Sequence, residues 1–284
     1  MQFVANVKKF MNIPPPSSAT NIREHHCTVI SNELVNDQYK QLTLSVPEPA
    51  LQAVAGQFFH LLCPQYDDLA PFFRRPMSIY RIDRNNNRLS FLYKIVGVGT
   101  TAMSRLEHGD SFNIFGPLGR GFWLEPMWQN LLVAARGVGL ATLAPLAQKT
   151  HRDGRNLYVI CSARSPEYLL SVDYFEEMGA TLFPVLDSDG SSEITAVEAL
   201  ARNLIEQKNI NTLFTCGSNR LLKLLQNLGK EYNLPGQTAL EQQMACGLGM
   251  CHCCVRPFTQ DGKQVDLRVC KEGPVFDLQE TIAW

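Results

Sequence analysis

Four cysteines near the C-terminus constrain the fold of this chain more than any other feature. Cys246, Cys251 and Cys254 lie in the run ACGLGMCHCC, and Cys270 follows in LRVCKEGPVF. The spacing is Cys-x4-Cys-x2-Cys, with 15 residues before the fourth cysteine. Three thiolates taken from one short loop must wrap around a compact centre, and a separate segment must return to supply the fourth. The triplet has the plant-type spacing of a 2Fe–2S cluster. Gly247 and Gly249 let the loop take φ > 0 and turn its N–H groups toward the sulfurs, where they stabilise the added charge of a reduced cluster. A structural zinc site or plain buried cysteines are the competing readings. Zinc knuckles favour paired Cys-x2-Cys elements, and no second pair is present here. Cys246, Cys251, Cys254 and Cys270 are therefore the expected metal ligands, whereas Cys253 is not, because its neighbour already occupies the required position. A cluster of this type moves electrons one at a time.

Composition narrows the setting. A chain of 284 residues allows one large or two to three small domains. A net charge of −1 gives no electrostatic case for nucleic acid. The longest apolar runs, Leu131–Ala135 and Leu140–Ala147, are too short to span a membrane. The first residues lack the apolar core of a signal peptide. Besides the four ligands, Cys27, Cys63, Cys161 and Cys216 are scattered through apolar or strand-like contexts, which suits a reducing cytoplasm better than a disulfide framework.

The pattern along the chain changes texture three times. Residues 1–20, with a short helix at Val4–Met11 and the run Pro14-Pro15-Pro16, read as an arm with a stiff linker. From 21 to 127 the chain alternates short apolar segments with Pro, Asn, Asp and Gly: His26–Ser31, Tyr39–Val46, Gln57–Leu62, Met77–Ile82 and Arg88–Ile95. This predicts an antiparallel β-barrel with one helix at Thr101–Leu106, capped by Thr100 or Thr101. From 128 to 235, apolar strands at Leu131–Ala135, Leu157–Cys161, Ala180–Val185 and Thr212–Cys216 alternate with helical patterns at Ala141–Lys149, Glu193–Gln207 and Arg220–Glu231. That alternation predicts a doubly wound parallel sheet. Residues 236–284 are expected to form a small cysteine-bearing 2Fe–2S subdomain.

Four further motifs carry chemistry. Arg74-Arg75-Pro76-Met77-Ser78 opens a barrel strand, and an arginine fork can clamp a pyrophosphate; alone, it reads first as a basic edge strand with a surface arginine pair. Tyr93-Lys94 ends a strand, and Gly97-Val98-Gly99-Thr100 opens a helix whose N–H groups suit phosphate, although such a turn is commonly only a cap. Phe115-Gly116-Pro117-Leu118-Gly119-Arg120-Gly121-Phe122 fixes a special backbone shape, either as a connection between domains or as a cofactor wall. Ala135-Arg136-Gly137-Val138-Gly139 follows an apolar strand where a doubly wound sheet binds nucleotide phosphates, but Thr142 replaces the third glycine of the fingerprint. Ser162 and Arg164 follow the next strand and either meet a 2′-phosphate or form a solvated turn. The six histidines, His60 and His252 among them, form no metal or triad constellation.

In this order the motifs resemble the electron-transfer subunit family of dihydroorotate dehydrogenase B, within the ferredoxin–NADP reductase-like group, over roughly residues 22–284. Arg75-Pro76-Met77-Ser78 matches its Arg-Pro-x-Ser flavin motif. Leu92-Tyr93-Lys94 and Gly99-Thr100 match further FAD contacts, and Phe115–Phe122 matches its Gly-Pro-Leu-Gly-x-Gly-Phe loop. Asp187–Ser191 resembles its Asp-Gly-Ser element, and Glu241–Cys254 with Cys270–Phe276 matches its cluster signature. The resemblance implies FAD, a 2Fe–2S cluster and NAD(H) or NADP(H), the last near Gly137 and Gly139. It also implies a hetero-oligomer with a catalytic subunit carrying a flavin or other redox centre. The chain departs from the family at Ala135, Arg136 and Thr142 in the glycine turn, at His252 and Cys253, and in the arm. An equivalent subunit of a sulfide dehydrogenase, transhydrogenase or sulfite reductase type stands as the alternative, with a zinc-stabilised binding module behind it.

Overall fold

The computed structural model describes residues 22–283, so the arm expected over residues 1–20 lies outside the described residues. Strands β1 (Arg23–Leu34), β2 (Tyr39–Ser45), β3 (Phe58–Leu61), β4 (Arg75–Ser78), β5 (Arg81–Asp83), β6 (Arg88–Lys94) and β7 (Ser111–Leu118) form a seven-stranded sheet in the order β4-β3-β7-β1-β2-β6-β5. Its pairings are antiparallel. Alternate residues point inward, as the period of a half-buried strand requires. Cys27, Val29, Leu42, Leu44, Phe59, Phe91 and Ile114 thus meet in one core.

One strand expected at Met77–Ile82 is two. Ile79 donates its N–H to Gln57 O and Tyr80 donates to Ser90 O, so the chain changes partners there, from β3 to β6. β4 and β5 are close in sequence yet sit at opposite edges of the sheet. The turn between them therefore curls the sheet toward a barrel. The barrel helix, α1 (Val98–Ser104), begins earlier than expected, with Gly97 as its cap residue. Thr100 lies inside it and reaches back, accepting from the N–H groups of Val96 and Gly97 at 3.0 and 3.2 Å.

The second sheet begins with β8 (Asn130–Arg136), whose Leu131–Ala135 run is wholly buried, the mark of a strand covered on both faces. Then follow α2 (Gly139–Arg152), β9 (Asn156–Ala163), the unforeseen short helix α3 (Val172–Glu177), β10 (Thr181–Leu186), α4 (Ile194–Gln207), β11 (Thr212–Cys216), α5 (Asn219–Glu231) and β12 (Gly236–Ala239). After the cysteine loop come the hairpin β13 (Val255–Gln260) and β14 (Lys263–Arg268), the turn α6 (Val269–Glu272) and β15 (Val275–Asp277). The sheet order is β10-β9-β8-β11-β12-β15, with β15 antiparallel to β12 and the other pairs parallel.

The cysteine-bearing tail packs on the barrel. Phe58 of β3 and Leu118 of β7 share a core with Leu240, Cys254, Phe258, Val269, Cys270 and Phe276. The Gly-Pro-Leu-Gly segment serves this contact. It is strand through Leu118, and a Cβ on Gly119 would stand 2.6 Å from the Gly273 carbonyl oxygen. Arg120 donates its N–H to that same oxygen at 2.6 Å. Gln237 of β12 ties the second sheet to the barrel's exit: its amide donates to Trp123 O at 2.7 Å and accepts from Trp123 N at 3.2 Å. Among the described residues no helix is long and apolar enough to cross a membrane.

Candidate redox site

The four expected metal ligands arrive as two pairs. Cys246 neighbours Cys251 and Cys270 neighbours Cys254, each thiol acting on the one beside it, and Cys246 also acts on Cys270 through its charge. The loop takes φ of +69° at Gly247 and +79° at Gly249, as glycine permits. Leu248 donates its N–H to Cys246 Sγ and Cys270 donates its N–H to Cys254 Sγ, both at 3.4 Å. The α6 segment grips the loop from outside, with Arg268 donating to Gly249 O at 3.1 Å and pairing with Glu272 at 2.6 Å. Burial raises the Cys246 thiol, but N–H donors from Cys251, Leu248 and Met250 and the Cys251 thiol outweigh it and bring it down to about 6. Burial pushes Cys270 up to about 12, with the Cys254 thiol beside it adding to the rise.

This arrangement suits a dinuclear centre. Two irons bridged by sulfide each need two thiolates, and the chain offers two pairs with backbone N–H groups aimed at the sulfurs. A single zinc ion would draw all four thiols to one point.

The expected FAD residues converge in part. Arg75 on β4 and Gly99 on α1 touch: a Cβ on Gly99 would stand 2.5 Å from Arg75 Nε. Only glycine leaves the guanidinium its place there, where Arg75 also donates to Phe73 O at 2.5 Å. Pro76 and Ser78 sit opposite His60 and Phe58 across β3, and Met77 packs on the barrel core. Leu92 joins the core shared with the second sheet, whereas Lys94 is exposed, its Nζ 5.8 Å from the Tyr39 ring centroid. Tyr93 lies in the barrel core at 1 % exposure and donates its hydroxyl to Asn32 Oδ1 at 2.9 Å. The Thr100 hydroxyl is taken up by its own turn.

The glycine turn of the second sheet divides its tasks. Gly137 has φ +55°, and a Cβ there would lie 3.8 Å from the Tyr39 hydroxyl of the barrel. Gly139 instead packs α2 on β11, since a Cβ would meet Cys216 O at 2.5 Å. Gly139→Ala is expected to cost about 1–3 kcal/mol of overpacking and to lower Tm by several degrees in thermal denaturation. Arg136 does not reach into open solvent. It forms a two-pronged pair with Asp187 at 3.0 and 2.5 Å and donates to Ser162 Oγ at 2.9 Å. Ser192 donates to the same carboxylate. These bonds, led by that from Arg136, hold Asp187 down to about 2, so the pair stays ionised through the ordinary carboxylate range and is lost only as pH falls toward that value. Ser162 is buried at the end of β9, not in a solvated turn.

Sequence reasoning missed a meeting of three regions. Glu241, just after β12, is open to solvent on one side, yet desolvation pushes its carboxyl above the ordinary range. Burial, with the charge of Glu241 adding to it, raises both Tyr39 of β2 and Cys216 of β11. Barrel, sheet and tail thus converge beside Gly137. The available signal was that Glu241 opens the cluster signature and Cys216 ends a buried strand before a glycine. His60 was also passed over: burial, with Arg74 adding, pushes its imidazole down to about 4.

Comparison with known proteins agrees with this geometry. The family described as the iron-sulfur cluster binding domain of dihydroorotate dehydrogenase B matches residues 241–282. The dihydroorotate dehydrogenase B (NAD(+)) electron transfer subunit of Desulforamulus reducens is 35% identical over 243 residues, covering 85% of this chain and 91% of that one. Its counterpart from Enterococcus faecalis is 28% identical over 265 residues, covering 92% and 98%. Among solved structures, an NADH-dependent reduced ferredoxin–NADP oxidoreductase chain superposes with a TM-score of 0.74 at 24% identity, covering 90% of each chain, which shows the shared fold. The chain belongs to the dihydroorotate dehydrogenase B electron transfer subunit family.

Proposed function

We propose that this chain passes electrons between NADH and a catalytic partner subunit through FAD and a 2Fe–2S cluster, as part of a dihydroorotate dehydrogenase B type complex. The observation that carries the reading is the two thiol pairs, Cys246 with Cys251 and Cys254 with Cys270, on a tail docked against the barrel that holds Arg75 and Gly99 together. When bound, a flavin takes two electrons as hydride and yields them singly, which joins a nicotinamide to a one-electron centre.

The chain's own residues position and polarise. Arg75 would offer its guanidinium to the FAD pyrophosphate, with Gly99 and Thr100 contributing backbone beside it and Gly99 keeping the approach open. Pro76, Met77 and Ser78 would carry the same strand along a bound flavin, with Leu92 and Lys94 bordering that site from one face of β6 while Tyr93, on the other face, anchors the strand in the barrel core. Gly137 and Gly139 set the turn at which the dinucleotide docks, Gly137 by its left-handed φ and Gly139 by drawing α2 close to the sheet. Tyr39, Cys216 and Glu241 gather beside Gly137 and Gly139 and would line the approach of a bound nicotinamide. The four cysteines deliver electrons at the surface, since Cys251 and the neighbouring Met250 are exposed. A cytoplasmic setting fits the nine cysteines, all of them free.

The purified chain should show flavin and iron–sulfur absorbance that NADH bleaches without oxygen. A colourless protein containing zinc would overturn the reading. NADH should be preferred over NADPH, because Arg136 already gives its fork to Asp187 and leaves a negative partner beside any 2′-phosphate. Asp187→Asn should narrow that preference in kcat/KM. An unchanged ratio would remove Asp187 from the discrimination.

A further inference from the structure

His60 is buried on β3 at 1 % exposure, and its Nε2 has no hydrogen-bond partner among the described residues. A buried polar atom left without a partner costs free energy, so its presence in a folded protein needs a reason. The ring is pressed against the cysteine loop. Nε2 lies 2.9 Å, and Cδ2 3.2 Å, from the place a Cβ would occupy on Gly247, the residue after Cys246. The rest of the imidazole is held in position. Its ring tilts against Phe58 with centroids 5.7 Å apart, and its backbone is fixed by Pro76 of β4 on one side and Phe115 of β7 on the other. Arg74 donates to its carbonyl at 3.4 Å. The orphan nitrogen is therefore fixed in place and faces the loop, and the acceptors that loop is built to hold are sulfurs.

We propose that His60 is a positioning residue for the iron–sulfur centre, its Nε2–H donating to a sulfur on the Cys246 side and raising the centre's reduction potential. The inference rests on the cluster assignment above. A hydrogen bond to a cluster sulfur favours the more negative, reduced form. Because His60 also stands opposite Pro76, the same residue joins the strand that carries Arg75 to the loop that carries Cys246. It is a direct protein contact between the two cofactor regions.

Iron and sulfide content of the full chain tests the cluster assignment by itself. The proposal is tested by potentiometric titration of the cluster's EPR signal in chains with equal iron content. His60→Leu should lower the ratio of reduced to oxidised cluster at a fixed potential about tenfold, equivalent to about 59 mV for one electron. His60→Gln, which keeps an N–H at the same reach, should stay close to the parent. A His60→Leu chain with the parent potential overturns the proposal, and so does a His60→Gln chain shifted as far as His60→Leu. Should His60→Leu fail to hold a cluster, pulsed EPR of the His252→Asn chain with isotope-labelled histidine decides. A weak imidazole-nitrogen coupling in the reduced state supports the hydrogen bond, and its absence overturns it.

Discussion

Cys251→Ser should abolish the visible iron–sulfur bands and the EPR signal of the reduced cluster while leaving the flavin bound and reducible by NADH. The asymmetry follows from where Cys251 sits. It is exposed on the loop, in contact with Cys246, and takes no part in the core that Cys254 and Cys270 share with Phe58 and Phe258. The substitution therefore removes a ligand without opening a cavity, and Tm should change little beyond the loss of metal. Electron delivery to the catalytic partner should fall to background, while the hydride half of the reaction continues. Cys253→Ser is the matched control, since Cys253 is exposed and belongs to neither pair. If Cys251→Ser kept a full cluster, the pairing of ligands proposed above would be wrong.

Arg75→Ala should weaken FAD binding by about 1.5–3 kcal/mol, roughly 10- to 150-fold in the dissociation constant, the range expected for a hydrogen bond to a charged group. The flavin should then separate from the protein on gel filtration. Gly99→Ala gives the sharper version. Its added methyl meets the far end of the Arg75 side chain, with Nε, Cζ and Nη2 at 2.5, 2.8 and 2.9 Å. A flexible side chain can move aside at little cost, so folding stability should hold while FAD affinity drops with the displaced guanidinium. FAD titration by fluorescence quenching, set beside thermal denaturation, separates the two effects. Equal losses in both would mean that Gly99 serves packing alone.

What the sequence made legible was local. The cysteine spacing, the apolar run Leu131–Ala135 and the alternation of β2 each state their structure within a few residues, because the spacing itself is the physical constraint. The features it hid depend on a distant partner. Nothing in Met77–Ile82 says that Ile79 and Tyr80 bond to different strands. Nothing in Gly137-Val138-Gly139 distinguishes a glycine that faces Tyr39 from one pressed on Cys216. Arg136 read as a misfit in a glycine position until Asp187, 51 residues away, was seen to hold it. Tyr39, Cys216 and Glu241 come from the barrel, the second sheet and the tail, so their meeting has no signature along the chain. Thr100 shows the reverse case: its type suited a cap, and it does satisfy the turn, but from inside the helix.

The last segment of the chain is woven into two bodies at once. β12 and β15 complete the parallel sheet beyond β11, while the residues between them lie against Phe58 and Leu118 of the barrel. A chain ending at Pro235 would lose more than its metal. It would bare one side of β11, a buried strand whose N–H and C=O groups would then invite pairing with a second copy. The electron outlet is thus stitched into the fold as a seam, and evolution could exchange it for another only by rebuilding the sheet edge with it.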